Sequence, residues 1–265
     1  MTRVWTFSKN NLSGLSRLSM NNVIAIIPAR LGSKSITDKN IKYLSGHPLI
    51  AYSIAAAILS KKIDRVIVST NSKEYANIAK KYGAEVPFMR PDEVSTDTAT
   101  DRGFLIHAME WLKKNEGSAI EYWVHLRPTT PLRSVEIIDN AISKIMTDNN
   151  ATSLRSGHKA PESPLKYFVR KGGYFKGLVE GENFNLPKEA FEQVYIPDGF
   201  VDVVRSSFIM NSNEIHGDRM IGFESPVCAE VDSAEEFDYI QYQLNLYGSE
   251  LLDYLNKERG YNYVE

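Results

Sequence analysis

Short apolar runs and longer amphipathic stretches follow one another along most of the chain. The apolar runs are typical of buried strands and lie at 23–27, 64–70 and 121–126. The other stretches are rich in helix formers or carry apolar residues at helical spacing, and they lie at 49–62, 72–83, 97–114 and 134–146. Strands that alternate with helices predict an α/β fold with a mostly parallel sheet and helices on both faces.

The segment from about 152 to 204 departs from this alternation. Its short β-like runs are broken by Gly and Pro, and the Lys-Gly-Gly-Tyr sequence at 171–174 has the composition of a hairpin turn. We predict a small antiparallel lobe inserted at this point. The parallel pattern then returns with a strand at 227–232 and a helix from Ser233 that continues into the tail.

A single domain is therefore predicted over 21–265. Residues 1–20 are polar and patternless, which indicates a disordered leader or an upstream start. A transit peptide is the alternative, because this stretch carries Arg3, Lys9 and Arg17 and no acid.

The composition argues against several classes of protein. The 31 basic side chains nearly balance the 33 acidic ones, so we expect neither nucleic acid nor an anionic membrane as a partner. Cys228 is the only cysteine, which rules out an intrachain disulfide and fits a reducing compartment, so we expect a cytoplasmic protein. No apolar run approaches the ~20 residues that span a bilayer.

The loop after the first strand combines positive charge with little bulk. Residues 29–40 read ARLGSKSITDKN, in which the glycine permits close approach of a ligand to the backbone and Ser33 adds a hydroxyl. Arg30, Lys34 and Lys39 could converge on phosphate oxygens at the carboxyl edge of the sheet. A solvated basic loop explains the charge equally well, since neither GxxxxGK[ST] nor GxGxxG occurs.

Two further segments carry candidate chemistry. The loop LRPTTPLR (126–133) also follows a predicted strand, and its two prolines stiffen it, so it suits a polar ligand; Arg127 could equally be a surface cation. In AEVD (229–232), strand alternation would place Glu230 and Asp232 on one face. Paired carboxylates predict a Mg²⁺ site, since Mg²⁺ is held by one or two carboxylates plus substrate phosphates. The alternative is two solvated acids, or a helix N-cap at Asp232.

Seven segments, in order, resemble the acylneuraminate (CMP-sialic acid) cytidylyltransferase family. They are ARLGSKSITDKN, RVIVSTNS, YGAEVPFMRPDEVSTDTAT, LRPTTPLR, SPLK, QVYIPDG and EVDSAEEFD. The resemblance runs from Val23 to about Leu244 and implies a Rossmann-like domain with an inserted dimerisation lobe at about 152–204. It also implies an activity, the coupling of CTP to a 2-keto-3-deoxy sugar acid to give a CMP-sugar and pyrophosphate. Mg²⁺ would be the cofactor and a homodimer the assembly.

The resemblance assigns roles by position. The catalytic contacts to the triphosphate would come from Arg30, Lys34 and Lys39. The nucleotide-binding positions are Ala29, Arg30, Ser33, Lys34, Lys39, Asn40, Arg90, Thr100 and Asp101. The sugar-binding positions are Arg127, Thr129, Lys166, Lys188 and Asp198, and the metal carboxylates are Glu230 and Asp232. The two lysines of the lobe would reach the site from this subunit or from its partner. No general base is evident, and we expect structural roles for His107, His125, His158 and His216.

The sequence departs from the family pattern mainly around the sugar. Arg127 stands where sialic acid members have Gln, Asp198 where they have Asn, and Asp101 where they have a small hydroxyl residue. We therefore expect N-acetylneuraminate to be a poor substrate, with legionaminic acid, pseudaminic acid or another 2-keto-3-deoxy sugar as the alternatives. Changes at Ser35, Asp38 and Asp198 suggest a second hypothesis, an inactive sugar-nucleotide binding protein. A nucleotidyltransferase that uses another nucleotide, such as GTP, is a third.

Overall fold

The computed structural model describes residues 23–33, 35–118, 120–181 and 183–259. Its strands are β1 (Val23–Pro28), β2 (Tyr43–Leu44), β3 (His47–Pro48), β4 (Arg65–Ser69), β5 (Tyr122–His125), β6 (Ser153–Lys159), β7 (Phe168–Lys171), β8 (Tyr174–Gly177), β9 (Tyr195–Arg205) and β10 (Met220–Glu224). Its α-helices are α1 (Leu49–Leu59), α2 (Lys73–Lys81), α3 (Asp101–Glu116), α4 (Val135–Met146), α5 (Ser206–Ile209), α6 (Ala234–Tyr247) and α7 (Glu250–Arg259). The predicted leader at 1–20 lies outside the described residues.

A six-stranded sheet in the order β10-β6-β9-β5-β1-β4 forms the centre of the protein. β1 pairs in parallel with β4 and β5, and β6 pairs in parallel with β10. β9 runs antiparallel to both of its neighbours, β5 and β6. The predicted α/β class with a mostly parallel sheet is thus confirmed, and one long antiparallel strand joins its two parallel halves.

Each face of the sheet packs against its own set of helices. Alternation along β1 places Val23, Ala25 and Ile27 in the core formed with α1, α4, α6 and α7. Ile24 and Ile26 point to the opposite core, which is formed with α3. Every strand residue from 23 to 27 is therefore buried, which is why this strand reads as one continuous apolar run.

Two predicted element ends are confirmed by their caps. The side chain of Ser72 accepts a hydrogen bond from the backbone N–H of Tyr75 at 3.3 Å and begins α2. The turn after this helix places Gly83 at φ +96°, a conformation that side chains with a Cβ rarely adopt.

The segment that stands outside the main sheet is shorter than the predicted 152–204. β6 and β9, at its two ends, are central strands, and they pair with each other from Ser153 to Lys159. Between them lie 3₁₀ turns and the β7–β8 hairpin. The hairpin turn at 171–174 is confirmed, with Gly172 at φ +55° and Gly173 at φ +85°.

Two expectations for the C-terminal part are wrong. No strand forms at 227–232, because that segment runs as a loop whose Val231 N–H donates to the carbonyl of Thr129 at 2.7 Å; the returning strand is the earlier β10. The last helix also does not continue into the tail. Gly248, at φ +64°, ends α6, and α7 begins afresh two residues later. No helix in the described ranges is long and apolar enough to cross a membrane.

Candidate active site

A cleft of about 460 Å³ lies beyond the carboxyl ends of β1 and β5. Its walls come from the loops after these strands, the segment 90–100 and the first turns of α3. Among the predicted site residues, it is lined by Arg30, Ser33, Lys39, Asn40, Arg90, Thr100, Asp101, Arg127 and Thr129. Because parallel strands bring their following loops to one edge, segments up to 100 residues apart meet at this cleft.

The loop after β1 supplies the cationic end of the cleft. Lys39 is buried, and its Nζ donates to the carbonyl of Val231 at 2.7 Å and lies 3.2 Å from Asp232 Oδ1. Asn40 donates to the carbonyl of Arg30 at 3.2 Å and so holds the loop closed on itself. Lys34, predicted as a triphosphate contact, lies outside the described residues. Ala29 is buried beneath the loop, where its N–H donates to the carbonyl of Ser69.

Asp38 does not place its carboxylate among these cations. Its backbone is left-handed, at φ +50°, and its Oδ1 accepts the hydroxyl hydrogen of Tyr75 at 2.7 Å. Burial and then this carboxylate raise the pKa of Tyr75, so the phenol stays protonated and keeps donating. The unusual acid in the basic loop therefore holds the loop against α2.

Arg30 and Arg90 line the cleft in different ways. Arg30 pairs with Asp97 at 2.8 Å, which joins the basic loop to the segment 90–100 on the other side. Arg90 is buried, donates to the hydroxyl and the carbonyl of Ser69, and lies over the ring of Phe104. Burial lowers the pKa of Arg90 to about 10, so it still carries its charge at neutral pH.

Arg127 lies between two carboxylates at the other end of the cleft. Its Nη1 donates to Asp202 Oδ2 and its Nη2 to Asp101 Oδ2, each at 2.9 Å. Burial alone would lower the pKa of Arg127, but the two acids outweigh it and raise the pKa. Each terminal nitrogen thus donates to one acid, so a sugar group that bonded to Arg127 would share this guanidinium with Asp101 and Asp202.

His125 forms the floor below this ion pair. It is buried, and its Nδ1 lies 3.9 Å from both Asp101 and Asp202. Burial, followed by repulsion from Arg127, holds its pKa well below the ordinary value, so the ring is neutral. Its Nε2 has no hydrogen-bond partner among the described residues. This histidine belongs to the floor of the cleft, a place that its sequence context did not indicate.

Arg133 stiffens the loop that carries Arg127. Its buried guanidinium donates to the carbonyls of Arg127, Thr130, Gly199 and Phe200. These bonds fix the 126–133 loop to the start of β9, in addition to the restriction that the prolines impose. Burial lowers the pKa of Arg133 to about 9.

Three predicted sugar-binding residues do not line the cleft. Lys166 pairs with Glu162 at 2.8 Å, and Lys188 lines a smaller depression within the lobe. Asp198 is buried and accepts hydrogen bonds from Ser156 and Ser225, each at 2.5 Å. Burial raises the pKa of the Asp198 carboxyl, but the hydrogen bonds outweigh burial, and the pKa lies below its ordinary value. In this chain Asp198 therefore serves the fold of the strand junction.

The two predicted metal carboxylates have different surroundings. The side chain of Asp232 is 69% exposed beside Lys39, whereas Glu230 Oε1 accepts the backbone N–H of Gly199. No group of three or more His, Cys, Asp or Glu side chains in the described part of the chain could hold a metal ion by itself. One exposed carboxylate at the cationic end fits Mg²⁺, which keeps several waters and takes phosphate oxygens as further ligands.

In an α/β sheet, a polar cleft at the carboxyl edge of the strands is the usual site for a small-molecule ligand. A family model described as "Cytidylyltransferase" matches residues 24–191, more than half of the chain, so the chain belongs to that family. The match ends within the lobe and includes the 29–40 and 126–133 loops.

Named relatives cover the chain in part. It is 41% identical over 125 residues to an N-acylneuraminate cytidylyltransferase of Escherichia coli, which is 47% of this chain and 28% of that protein. It is 39% identical over 123 residues to a CMP-N,N'-diacetyllegionaminic acid synthase of Legionella pneumophila, which is 45% and 51% of the two chains. A pseudaminic acid cytidylyltransferase of Campylobacter jejuni is 36% identical over 127 residues, or 48% and 54%. The matches thus span about half or less of each of these relatives.

Solved structures share the fold. A CMP:2-keto-3-deoxy-manno-octonic acid synthetase with CTP superimposes with a TM-score of 0.64 at 14% identity, covering 85% of this chain and 99% of that one. A 4-diphosphocytidyl-2C-methyl-D-erythritol synthase from Anaerococcus prevotii gives 0.59 at 12% identity, covering 86% and 100%. At these identities the likeness shows the fold alone.

Proposed function

We propose that the protein couples CTP to a 2-keto-3-deoxy sugar acid of the nonulosonate class, forming a CMP-sugar and pyrophosphate. The observation that carries this proposal is the cleft, which collects most of the residues assigned to the nucleotide at one edge of the sheet. Three relatives named for such sugar acids support the substrate class.

The reaction needs few groups from the protein. The anomeric hydroxyl of the sugar acid attacks the α-phosphorus, a new P–O bond forms, and the bond to the β-phosphate breaks to release pyrophosphate. Lys39 and Arg30 stabilise the charge that develops on the phosphates. The hydroxyl proton passes to solvent, because His125 is buried with its pKa depressed and the two acids that line the cleft, Asp97 and Asp101, are held by arginines. Asp232 would hold Mg²⁺, which would supply further charge to the phosphates.

Two of the cations that line the cleft are paired with acids. Arg30 faces Asp97, and Lys39 faces Asp232. A bound triphosphate would take over these cations, and the freed carboxylate of Asp232 would then be available to the metal. An exchange of partners of this kind avoids leaving repelling cations together when the nucleotide is absent.

The lobe supports a homodimer as part of the proposal. Tyr174 and Phe175 of the β7–β8 hairpin are 77% and 73% exposed, and Phe168 beside them is 49% exposed. A protein surface rarely leaves such an aromatic group in water without a partner. Lys166 and Lys188 lie on the same lobe, so a second subunit is the means by which they could approach a cleft.

Pyrophosphate release with each of four nucleoside triphosphates and a panel of sugar acids tests the proposal. Lys39→Met should lower kcat/KM by roughly 30- to 1,000-fold, the usual range for one lost electrostatic contact to the transition state. Lys42→Met is the matched control, because Lys42 is exposed and lies over the ring of Phe237, 4.3 Å from its centre. Equal activity of both variants, or release with GTP and not with CTP, would contradict the assignment. Binding of nucleotide and sugar without turnover would favour the inactive binding protein.

A further inference from the structure

A second cavity, of about 590 Å³, lies on the sheet beside the cleft. Its floor contains Gly157 of β6 and Gly222 of β10, and its walls include Arg155, Tyr195 and Met220. We call this cavity the β6–β10 groove. The proposed function does not use this groove, because the first cleft is large enough to hold the nucleotide.

The groove and the cleft are separated by one buried carboxylate. His125, Asp202 and Arg155 are direct cross-strand partners on β5, β9 and β6. Cross-strand partners share a face, and neighbouring strands lie about 4.8 Å apart, so Arg155 lies about 10 Å from the floor of the cleft. Asp202 faces Arg127 at 2.9 Å on one side and Arg155 Nε at 3.7 Å on the other.

Arg155 has hydrogen-bonding capacity to spare, because its buried Nε makes no bond within the described part of the chain and the side chain as a whole is 33% exposed where it lines the groove. Its Nε has no hydrogen-bond partner among the described residues, since 3.7 Å to Asp202 is too long for a bond. Its Nη1 lies 3.4 Å from His216 Nε2, whose ring is held by Ser153. Burial lowers the pKa of His216, so this neutral ring accepts from the guanidinium and orients it. A guanidinium fixed in this way can still donate to an oxygen in the groove.

The remaining walls are open and mixed, because Lys144, Ser156 and Glu224 line the groove together with apolar groups. Met220 and Tyr195 are 44% and 50% exposed, and a Cβ placed on Gly222 would meet nothing within 4 Å. Arg155 faces Asp202 at 3.7 Å and Glu224 is paired with Lys159 at 3.0 Å, so the part of the groove between Arg155 and Met220 favours a neutral acceptor oxygen attached to an apolar group. An acylamino substituent has this chemistry, with a carbonyl for Arg155 and a methyl for Met220.

We propose that Arg155 is a specificity-determining residue that binds an acylamino group on the side chain of the sugar acid. The inference rests on the proposed function for where the sugar lies. The carboxylate and anomeric carbon must remain beside the α-phosphate in the cleft, so only the far end of the sugar reaches the groove. Sugar acids with a second acylamino group there should be preferred to those with hydroxyls alone.

The test compares three sugar acids with CTP: an octulosonate without acylamino groups, N-acetylneuraminate with one on the ring, and a nonulosonate with a second one on the side chain. The wild type should use the third with kcat/KM about tenfold or more above the other two, because a site built for a hydrogen bond rejects a ligand that cannot make it. Arg155→Met and Gly222→Leu should each reduce this preference to about twofold or less, with KM for CTP unchanged within about twofold.

The Gly222→Leu variant should fold normally, because the new side chain fills open space and leaves every ionic contact in place. A change in its sugar preference therefore cannot be attributed to misfolding. Arg155→Lys should restore only part of the preference, since it keeps the charge and loses the planar donor set. A wild-type preference for either of the other sugars, or an equal loss for all three in both variants, would overturn the proposal. Sugar binding in the presence of CTP, measured by saturation-transfer NMR, tests the role of Arg155 separately from turnover. If no pyrophosphate appears but the preference among the bound sugars is as expected, the proposed function is refuted and the role of Arg155 is not.

Discussion

Replacing Arg127 by methionine will leave the buried carboxylate of Asp202 without its main cation. The side chain of Asp202 is 3% exposed and that of Arg127 is 23% exposed, so little water can replace the lost charge. Removing one partner of a buried ion pair costs about 3–5 kcal/mol, and the partial exposure of Arg127 places the expected loss near the lower end. Asp101→Asn is the matched control, because the Asp101 side chain is 42% exposed and should cost less than about 1 kcal/mol.

Urea unfolding of Arg127→Met, Asp202→Asn and the double variant measures the coupling directly. The double variant should be more stable than the sum of the two single losses predicts, by about 2 kcal/mol, because neither charge is then left alone. Additive losses, or a loss for Arg127→Met no larger than for Asp101→Asn, would show that this ion pair does not support the site.

Three further results are expected. Lys34→Ala should lose about 2–4 kcal/mol of transition-state stabilisation, measured as a lower kcat/KM, without a change in the fold. Activity within about threefold of wild type would show that Lys34 is not part of the site. Sedimentation should show a dimer at micromolar concentration that Tyr174→Lys with Phe175→Lys converts to a monomer, and a wild-type monomer would contradict this. The pKa of His125 is lowered by burial, so its neutral form favours the folded state above pH ~6.5 and that stability is lost as the pH falls. His125 should therefore contribute a fall in the free energy of unfolding of about 1.4 kcal/mol per pH unit below this value, and a slope in His125→Gln equal to that of the wild type would refute the assignment.

The sheet and the location of the cleft could be predicted because local patterns determine them. Continuous apolar runs indicated the buried strands β1, β4 and β5, and the carboxyl edge of a parallel sheet is where their loops must meet. The strand expected at 227–232 does not form because the backbone of Val231 hydrogen-bonds to the carbonyl of Thr129 and to Lys39 Nζ, which are contacts between distant segments. No local pattern distinguishes such a loop from a strand of the same composition.

The ionic arrangement of the site could not be predicted from single segments. Asp202 interrupts the apolar run FVDVV of β9, and an acid within a buried strand is a signal that could have marked it. Its partners Arg127 and Arg155 come from other strands and loops, so only the sheet order β6-β9-β5 shows that they converge on it. For the same reason, the sequence offered no way to see that Asp198 is turned into the core.

The proposed reaction in the cleft forms a phosphodiester that joins cytidine to the sugar acid. Phosphorus NMR of a reaction with CTP, Mg²⁺ and a diacylamino nonulosonate follows both products at once. We expect the three CTP signals to be replaced by one CMP-sugar phosphodiester signal and one pyrophosphate signal of twice its intensity, because pyrophosphate has two equivalent phosphorus atoms. Persistence of the CTP signals with every nonulosonate supplied, or the appearance of CDP or orthophosphate as the leaving product, would contradict it.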